Sequence, residues 1–308
     1  MLGFSIAELG QRPAIVGNAP VVLSFLTDSL PAGVSLSRAS SGTRINSVGA
    51  LEVVGNNQPR FDHDPQTLTP RGLLVEPAST NLVHGSEPNL TDWADLVSTS
   101  TSLALNALGY FAGMSVAGSG AKWHRLQADT DGWSAGQNLR VRVWYMAGSS
   151  GAMFLSLRNV DAGVDSSLSG TVGALGVHSA AAGAITDIVN AALGGGVYTV
   201  TYTFSPNAGS TSGKFGIGPF SAISGETVVA LGVQVEDGTG TTYIPTSGAA
   251  AIRAADSVTL NDWNGVYDIA LTYDGGGVEI RNGVTVAAGY DLAPTGRRIQ
   301  GVTLTPIA

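Results

Sequence analysis

Long runs of alternating side chains dominate this chain and constrain it more than any motif. In "LRVRVWYM", Leu139, Val141, Val143 and Tyr145 fall on one side of an extended backbone, and Arg140, Arg142, Trp144 and Met146 on the other. In "VYTVTYTF", Tyr198, Val200, Tyr202 and Phe204 alternate with Val197 and three threonines. "VVALGVQVE" places Val229, Leu231, Val233 and Val235 on one face, and "MFLSLRN" does the same with Met153, Leu155 and Leu157. Period two is the signature of half-buried strands in antiparallel sheets. Many such strands with glycine-rich turns between them predict an all-β protein built on a jelly-roll β-sandwich.

Composition agrees. The 308 residues include 42 glycines and only 12% charged residues, against 44% hydrophobic ones, enough for a sizeable core. Cysteine is absent, which excludes disulfides, thiolate nucleophiles and zinc–thiolate sites. The net charge of −8, with basic residues scattered along the chain, makes nucleic acid an unexpected partner. The opening "MLGFSIAELGQRPAIVG" has neither a basic nor an apolar signal region, so synthesis in the cytoplasm without a signal peptide is expected. No apolar run reaches the roughly 20 residues that span a bilayer, so membrane insertion is not expected.

Turn signals divide the chain into four parts. Residues 1–20 form a short N-terminal segment, 21–78 a small β unit, 79–262 the alternating strands, and 263–308 a C-terminal β-hairpin unit. In the last, Asn282-Gly283 between two alternating runs marks a hairpin turn. "HSAAAGAITDIVNAAL" (His178 to Leu193) is alanine-rich but holds Gly183 and precedes three glycines, so it is expected to be a loop with at most one helical turn.

Few constellations suggest catalysis. "FDHDP" sets His63 between Asp62 and Asp64, but successive side chains on an extended strand diverge; a turn with the aspartates bonding backbone amides is expected rather than a metal site. "GSTSGK" (Gly209 to Lys214) lacks the spacing of a phosphate loop and is expected to be a hairpin loop. A glycosidase pair would have to come from Asp129, Asp131, Asp161 and Asp165, in regions where aspartate is an ordinary turn residue. No catalytic residues are assigned and no enzyme is expected.

The aromatic and basic residues are more informative. Trp123, His124 and Arg125 stand together, Trp133 follows, and Trp144 shares a strand face with Arg140 and Arg142; Arg158 and Asp161 come next along the chain. Aromatic faces pack against the C–H patches of sugar rings, and guanidinium and carboxylate groups bond hydroxyls or acidic sugar groups. These nine residues are the candidate carbohydrate-binding set. The alternative is that Trp144 covers a second sheet and the arginines pair with aspartates.

Three stretches carry a family resemblance: "PRFDHDP", "RGLLVEP" with "TNL", and "QVEDG" with "TTYIPT" and "RAAD". Together with "NLTDWADLVST" they resemble phage and prophage fibre or spike proteins, in which a short β unit leads into a carbohydrate-binding-module-like jelly roll. The similarity covers about residues 21 to 262. "MLGFSIAELGQ" is similar to the opening of small structural proteins of tailed phages and gene transfer agents. The resemblance implies a head spike or tail fibre that docks on a capsid or spike-base protein by its N-terminal part. It also implies attachment to host surface or capsular polysaccharide and a homo-oligomer, trimer or pentamer. It allows a structural calcium, although no ligand set stands out, and no other cofactor. The alternatives are a structural virion subunit that contacts only protein, and a capsule depolymerase. In "TTYIPTSGAAAIRAAD", Tyr243 and Ile244 are expected to pack on the sandwich edge, Pro245 to stop ladder pairing, and Arg253 and Asp256 to form a local ion pair.

Overall fold

The computed structural model describes residues 19–134, 136–159, 164–178, 185–206, 209–287 and 289–307. All but the end of the expected docking segment, residues 1–20, and the candidate Asp161 therefore lie outside the described residues. The described elements are all β-strands.

The jelly roll consists of two six-stranded antiparallel sheets. The front sheet runs in the order Ile185–Gly194, Val197–Phe204, Leu139–Ala147, Ser224–Asp237, Met114–Ser119, Ser98–Ser102. The back sheet runs Ala174–His178, Val164–Thr171, Ala152–Asn159, Ser212–Pro219, Arg125–Asp131, Trp93–Leu96. The expected faces meet between them: Leu139, Val141, Val143 and Tyr145 pack with Val200, Tyr202, Phe204, Met153, Leu155 and Leu157 in one core. Each strand supplies one apolar face, and closing the two sheets over that face removes it from water.

Three local expectations change. The alternation in the Ser224–Asp237 strand is interrupted, because Trp144 pairs with Gly232 and Tyr145 with Ala230, leaving Leu231 as an extra residue. The bulge reverses the faces, so Val233 and Val235 enter the inter-sheet core while Val229 and Leu231 turn outward to Trp144. The Gly209–Lys214 segment is not a hairpin loop, since the Val197–Phe204 and Ser212–Pro219 strands flanking it lie in opposite sheets. Ile185–Gly194, within the alanine-rich stretch, is an edge strand rather than a loop; pairing with Val197–Phe204 overrides its local preference.

Both end segments are β-structure, and they build one layer together. A third sheet runs Val278–Val286, Gly265–Tyr273, Arg297–Pro306, Pro70–Val75, Phe61–His63, and Val21–Ser24 also pairs with Arg297–Pro306. A single core joins Leu23, Phe25, Phe61, Leu73 and Val75 from the N-terminal side to Trp263, Ile269, Leu271, Ile299 and Leu304 from the C-terminal side. The jelly roll is thus inserted into a unit assembled from both ends of the chain. Asn282-Gly283 does not turn a hairpin there but lies within the Val278–Val286 strand. Gly283, at φ 61°, forms a bulge whose amide donates to Asp268 Oδ1 (2.8 Å). Bulge and turn both require the left-handed conformation, so the dipeptide alone does not distinguish them.

The three resemblance stretches converge where jelly roll and end unit join. Gly72 of "RGLLVEP" has φ 110°, and a Cβ there would come within 2.4 Å of the Ile299 carbonyl, so only glycine lets this strand close on Arg297–Pro306. Beyond it, Glu76 accepts from Arg60 Nη1 of "PRFDHDP" (2.7 Å) and lies 3.4 Å from Arg253 Nη1. Asp256 accepts from Arg38 Nη1 (3.0 Å), from Arg60 Nη2, and from the Glu76 amide (2.8 Å). Arg253 does approach Asp256, at 3.8 Å, but this contact is one edge of a buried five-residue charge network rather than a local pair. Asn81 of "TNL" donates to the Ile244 carbonyl (2.8 Å) and accepts from the Val235 amide (3.1 Å), and Glu236 accepts from the Thr241 hydroxyl (2.8 Å). Tyr243 and Ile244 are buried as expected.

Candidate functional site

The outer face of the front sheet is not open. The hairpin of Gly42–Ile45 and Leu51–Val54, together with the edge of the third sheet, leans over it and leaves a groove of about 340 Å³. Its floor is Arg142 and Trp144, with Thr199 and Thr201 from the neighbouring strand and Ala191 and Leu193 from the edge strand. The opposite wall carries Arg44, Asp62, Arg71 and Arg298. The wall is pinned in place: the Leu51 amide donates to the Leu108 carbonyl (2.7 Å), Thr43 Oγ1 to the Tyr243 carbonyl, and Gln66 Nε2 to the Ala192 carbonyl.

Strand alternation sets the floor. With Val141, Val143 and Tyr145 committed to the core, Arg142 and Trp144 must face out. Trp144 is nevertheless only 5% exposed, because Phe111 (5.9 Å between rings) and Tyr243 (5.0 Å, edge-on) pack against it. It forms an aromatic wall of the groove and not a free platform. Arg142 lies over it, the guanidinium 5.7 Å from the ring. Its Nε donates to Thr201 Oγ1 (3.3 Å) and its Nη1 to the Thr241 carbonyl (3.1 Å). Burial pulls the Arg142 pKa down, and the nearby Glu236 and Glu76 charges oppose that shift.

The other guanidinium groups of the groove have carboxylate partners. Arg44 Nε lies 3.1 Å from Glu52, Arg71 is 2.6 Å from Asp274, and Arg298 donates to Asp62. Asp62 also accepts from the Ile45 amide (2.7 Å), and Asp64 accepts from the amides of Gln66 (2.9 Å) and Thr67 (2.8 Å). These amides hold the Asp64 carboxyl below its ordinary range. The "FDHDP" aspartates therefore bond backbone amides, as expected, and Asp62 additionally orients one arginine of the groove. Among the described residues no group of three or more carboxylate and histidine side chains is placed to hold a metal ion.

The eight described candidate residues do not form one surface. Arg142 and Trp144 line the groove, and Arg140 sits beside it on the same strand face, donating to Thr203 Oγ1 (3.0 Å). Trp133 is in the inter-sheet core, its indole N–H donating to Ser210 (3.2 Å). The remaining described candidates belong to the back-sheet side. Trp123, in a turn, is 49% exposed; His124 is buried with Nδ1 2.9 Å from the Ser119 hydroxyl; Arg125 is buried over the Phe154 ring at 5.8 Å. Arg158 is half-buried on the Ala152–Asn159 strand. Alternation assigns side chains to a face of a strand but not to a sheet, so residues close in sequence were separated onto opposite sheets. Arg44, Arg71 and Arg298 were missed for the converse reason: they reach the groove from strands remote in sequence.

A more open cleft of about 550 Å³ lies between Ser79, Thr80, Leu82, Asp131, Gln137 and Asp237. Among the described residues its lining has neither an aromatic nor a guanidinium group to orient a ligand, whereas the groove has both.

No family model matches the chain, and no curated protein matches it. Among solved structures it is similar to the CBM22-1–GH10 modules of Clostridium thermocellum endo-1,4-β-D-xylanase 10B complexed with xylohexaose. The identity is 12% and the TM-score 0.35, and the match covers 54% of this chain and 30% of that one.

Proposed function

We propose that the protein is a non-enzymatic saccharide-binding subunit that takes its ligand in the groove of the front sheet. The observation that carries this reading is the lining itself. Threonine hydroxyls, an aromatic wall and four guanidinium groups bring together in one cavity the donors, acceptors and apolar surface that a sugar presents in complement. Of the carboxylates considered for hydrolysis, Asp129 is held by Lys214 and Asp131 by His84 (3.0 Å), which favours binding over catalysis.

The finer proposal rests on the sequence resemblance: the subunit is a head spike or fibre of a phage-like particle, such as a gene transfer agent, and attaches to host surface or capsular polysaccharide. In that setting it oligomerises and meets a capsid or spike-base protein. Substituting Ala191→Trp fills the groove from an exposed position of the edge strand. Retention of host capsular polysaccharide on the immobilised protein should fall at least tenfold with an unchanged circular dichroism spectrum. Undiminished retention by the well-folded variant refutes the groove as the binding site.

A second reading, a scaffold subunit that contacts only protein, draws on Val278 and Ile280, which are 59% and 64% exposed on the outer strand of the third sheet. Cryo-electron microscopy of the assembled particle separates the two: the jelly roll projects into solvent in the first and is buried among neighbours in the second.

A further inference from the structure

The charge inventory of the groove narrows its ligand. The chain as a whole carries a net charge of −8, yet among the described residues this cavity is lined by four arginines and a single carboxylate, Asp62. Asp62 is fully engaged by Arg298 and the Ile45 amide. Arg44 and Arg71 have their own partners in Glu52 and Asp274. Arg142 differs from all three, because among the described residues it is paired with no carboxylate. Glu236, on the adjacent strand, is directed instead to Gln234, Ser79 and Thr241. Glu76 is directed to Arg60, Arg253 and Thr242.

A guanidinium group carries five N–H donors. Arg142 directs Nε to Thr201 and one Nη1 hydrogen to the Thr241 carbonyl. Its remaining donors, the second Nη1 hydrogen and both on Nη2, meet no acceptor among the described residues and are left for a ligand. A pair of such donors matches a carboxylate, whose two oxygens accept parallel N–H bonds. A half-buried cation with no carboxylate in bonding contact is costly, and an anionic ligand relieves that cost while a neutral sugar leaves it in place.

From this we infer that the groove selects a carboxylate-bearing saccharide of the uronic-acid type, its carboxylate seated on the unused Nη1 and Nη2 donors of Arg142 and its ring against the Trp144 wall. The inference rests on the saccharide-binding reading above and adds the chemical class of the ligand. A volume of about 340 Å³ accommodates a short segment of such a chain.

The test is calorimetric titration of the full chain with trigalacturonate, its methyl ester, xylotriose and a sulfated heparin-derived disaccharide. Trigalacturonate should bind, the methyl ester and xylotriose at least tenfold more weakly. Arg142→Met should abolish that difference, Arg142→Lys should restore only part of it, and Lys214→Ala, on the back sheet, should bind as the parent does. Circular dichroism and the thermal midpoint verify that each variant is folded. Equal binding of trigalacturonate and xylotriose, insensitive to Arg142→Met, overturns the acidic-sugar inference and leaves the saccharide reading intact. Preference for the sulfated probe overturns the choice of carboxylate. Failure of all four probes to bind overturns both readings.

Discussion

The buried arginines at the joint between jelly roll and end unit and Arg142 of the groove receive opposite treatment. At the joint, Arg38, Arg60 and Arg253 are completely buried and share Glu76 and Asp256, with Asp256 alone accepting from two of them. In the groove, Arg142 is half-buried against Trp144 and, among the described residues, bonds a hydroxyl and a carbonyl but no carboxylate. The difference lies in what each charge can use as its counterpart. At the joint, water is excluded and every carboxylate is internal, so removing one partner strands the rest. In the groove Glu236 and Glu76 act on Arg142 without bonding it, and on the proposed function the bonded counterpart comes from outside. On that proposal, guanidinium groups of one chain act as a fastening in one place and as recognition in the other.

The contrast can be broken in three ways. Asp256→Ala removes the carboxylate shared by Arg38 and Arg60 and leaves buried charge uncompensated, which should cost about 3–5 kcal/mol. At roughly 2–4 °C per kcal/mol for a chain of this size, the thermal midpoint should fall on the order of 10 °C. Calorimetric scanning measures this, and saccharide retention below the midpoint should be unchanged; a midpoint within 2 °C of the parent would mean that the network does not fasten the joint.

The second test is acid. Burial pushes the Glu76 carboxyl up, but Arg60, Arg253 and the Thr242 hydroxyl more than offset this and hold it below its ordinary value. The unfolded carboxyl protonates near pH 4.3, about where an unperturbed glutamate does. The stability that Glu76 contributes is therefore complete above that pH and lost as pH falls through the lower folded value. Urea midpoints measured from pH 7 to pH 3 should decline at the acid end, and Glu76→Gln should start lower and decline less steeply.

The smallest effect is expected in the groove. Arg142→Met keeps the stem against Trp144 and removes a charge that bonds no carboxylate among the described residues, so stability should change by less than about 1 kcal/mol. Chemical denaturation checks this, and a loss as large as that of Asp256→Ala would make Arg142 part of the fastening. Trp144→Ala is a poor probe of binding by comparison, because Trp144 is packed by Phe111 and Tyr243 and its truncation reports on folding.

The resemblance stretches are explained by the joint. Gly72, Glu76, Arg60, Asn81, Glu236, Arg253 and Asp256 come from all three, and each supports closure or buried bonding there. "TTYIPTSGAAAIRAAD" contains a tyrosine, an arginine and an aspartate that could pass for an active site. The three do not share one: the Tyr243 hydroxyl bonds Ser86, while Arg253 and Asp256 belong to the charge network. The most recognisable residues are thus framework, and the groove is lined by others between them.

What sequence alone determined was the outward side of each strand. Alternation placed Arg140, Arg142 and Trp144 opposite the core, and it did so correctly because burial of one apolar face is a local, periodic requirement. It failed at Val229 and Leu231, where a single bulged residue reverses the faces. The tertiary structure decided which sheet each strand joined, and thereby parted Trp123 and Arg125 from Arg142. It also decided that Val21–Ser24, Pro70–Val75 and Arg297–Pro306 share one sheet, which covers the front face and turns an exposed row of side chains into a groove. Those outcomes depend on pairings between residues more than two hundred positions apart, such as Arg298 with Leu74. Backbone pairing of that kind uses the same N–H and C=O groups at every residue, so no local pattern of side chains encodes the partner.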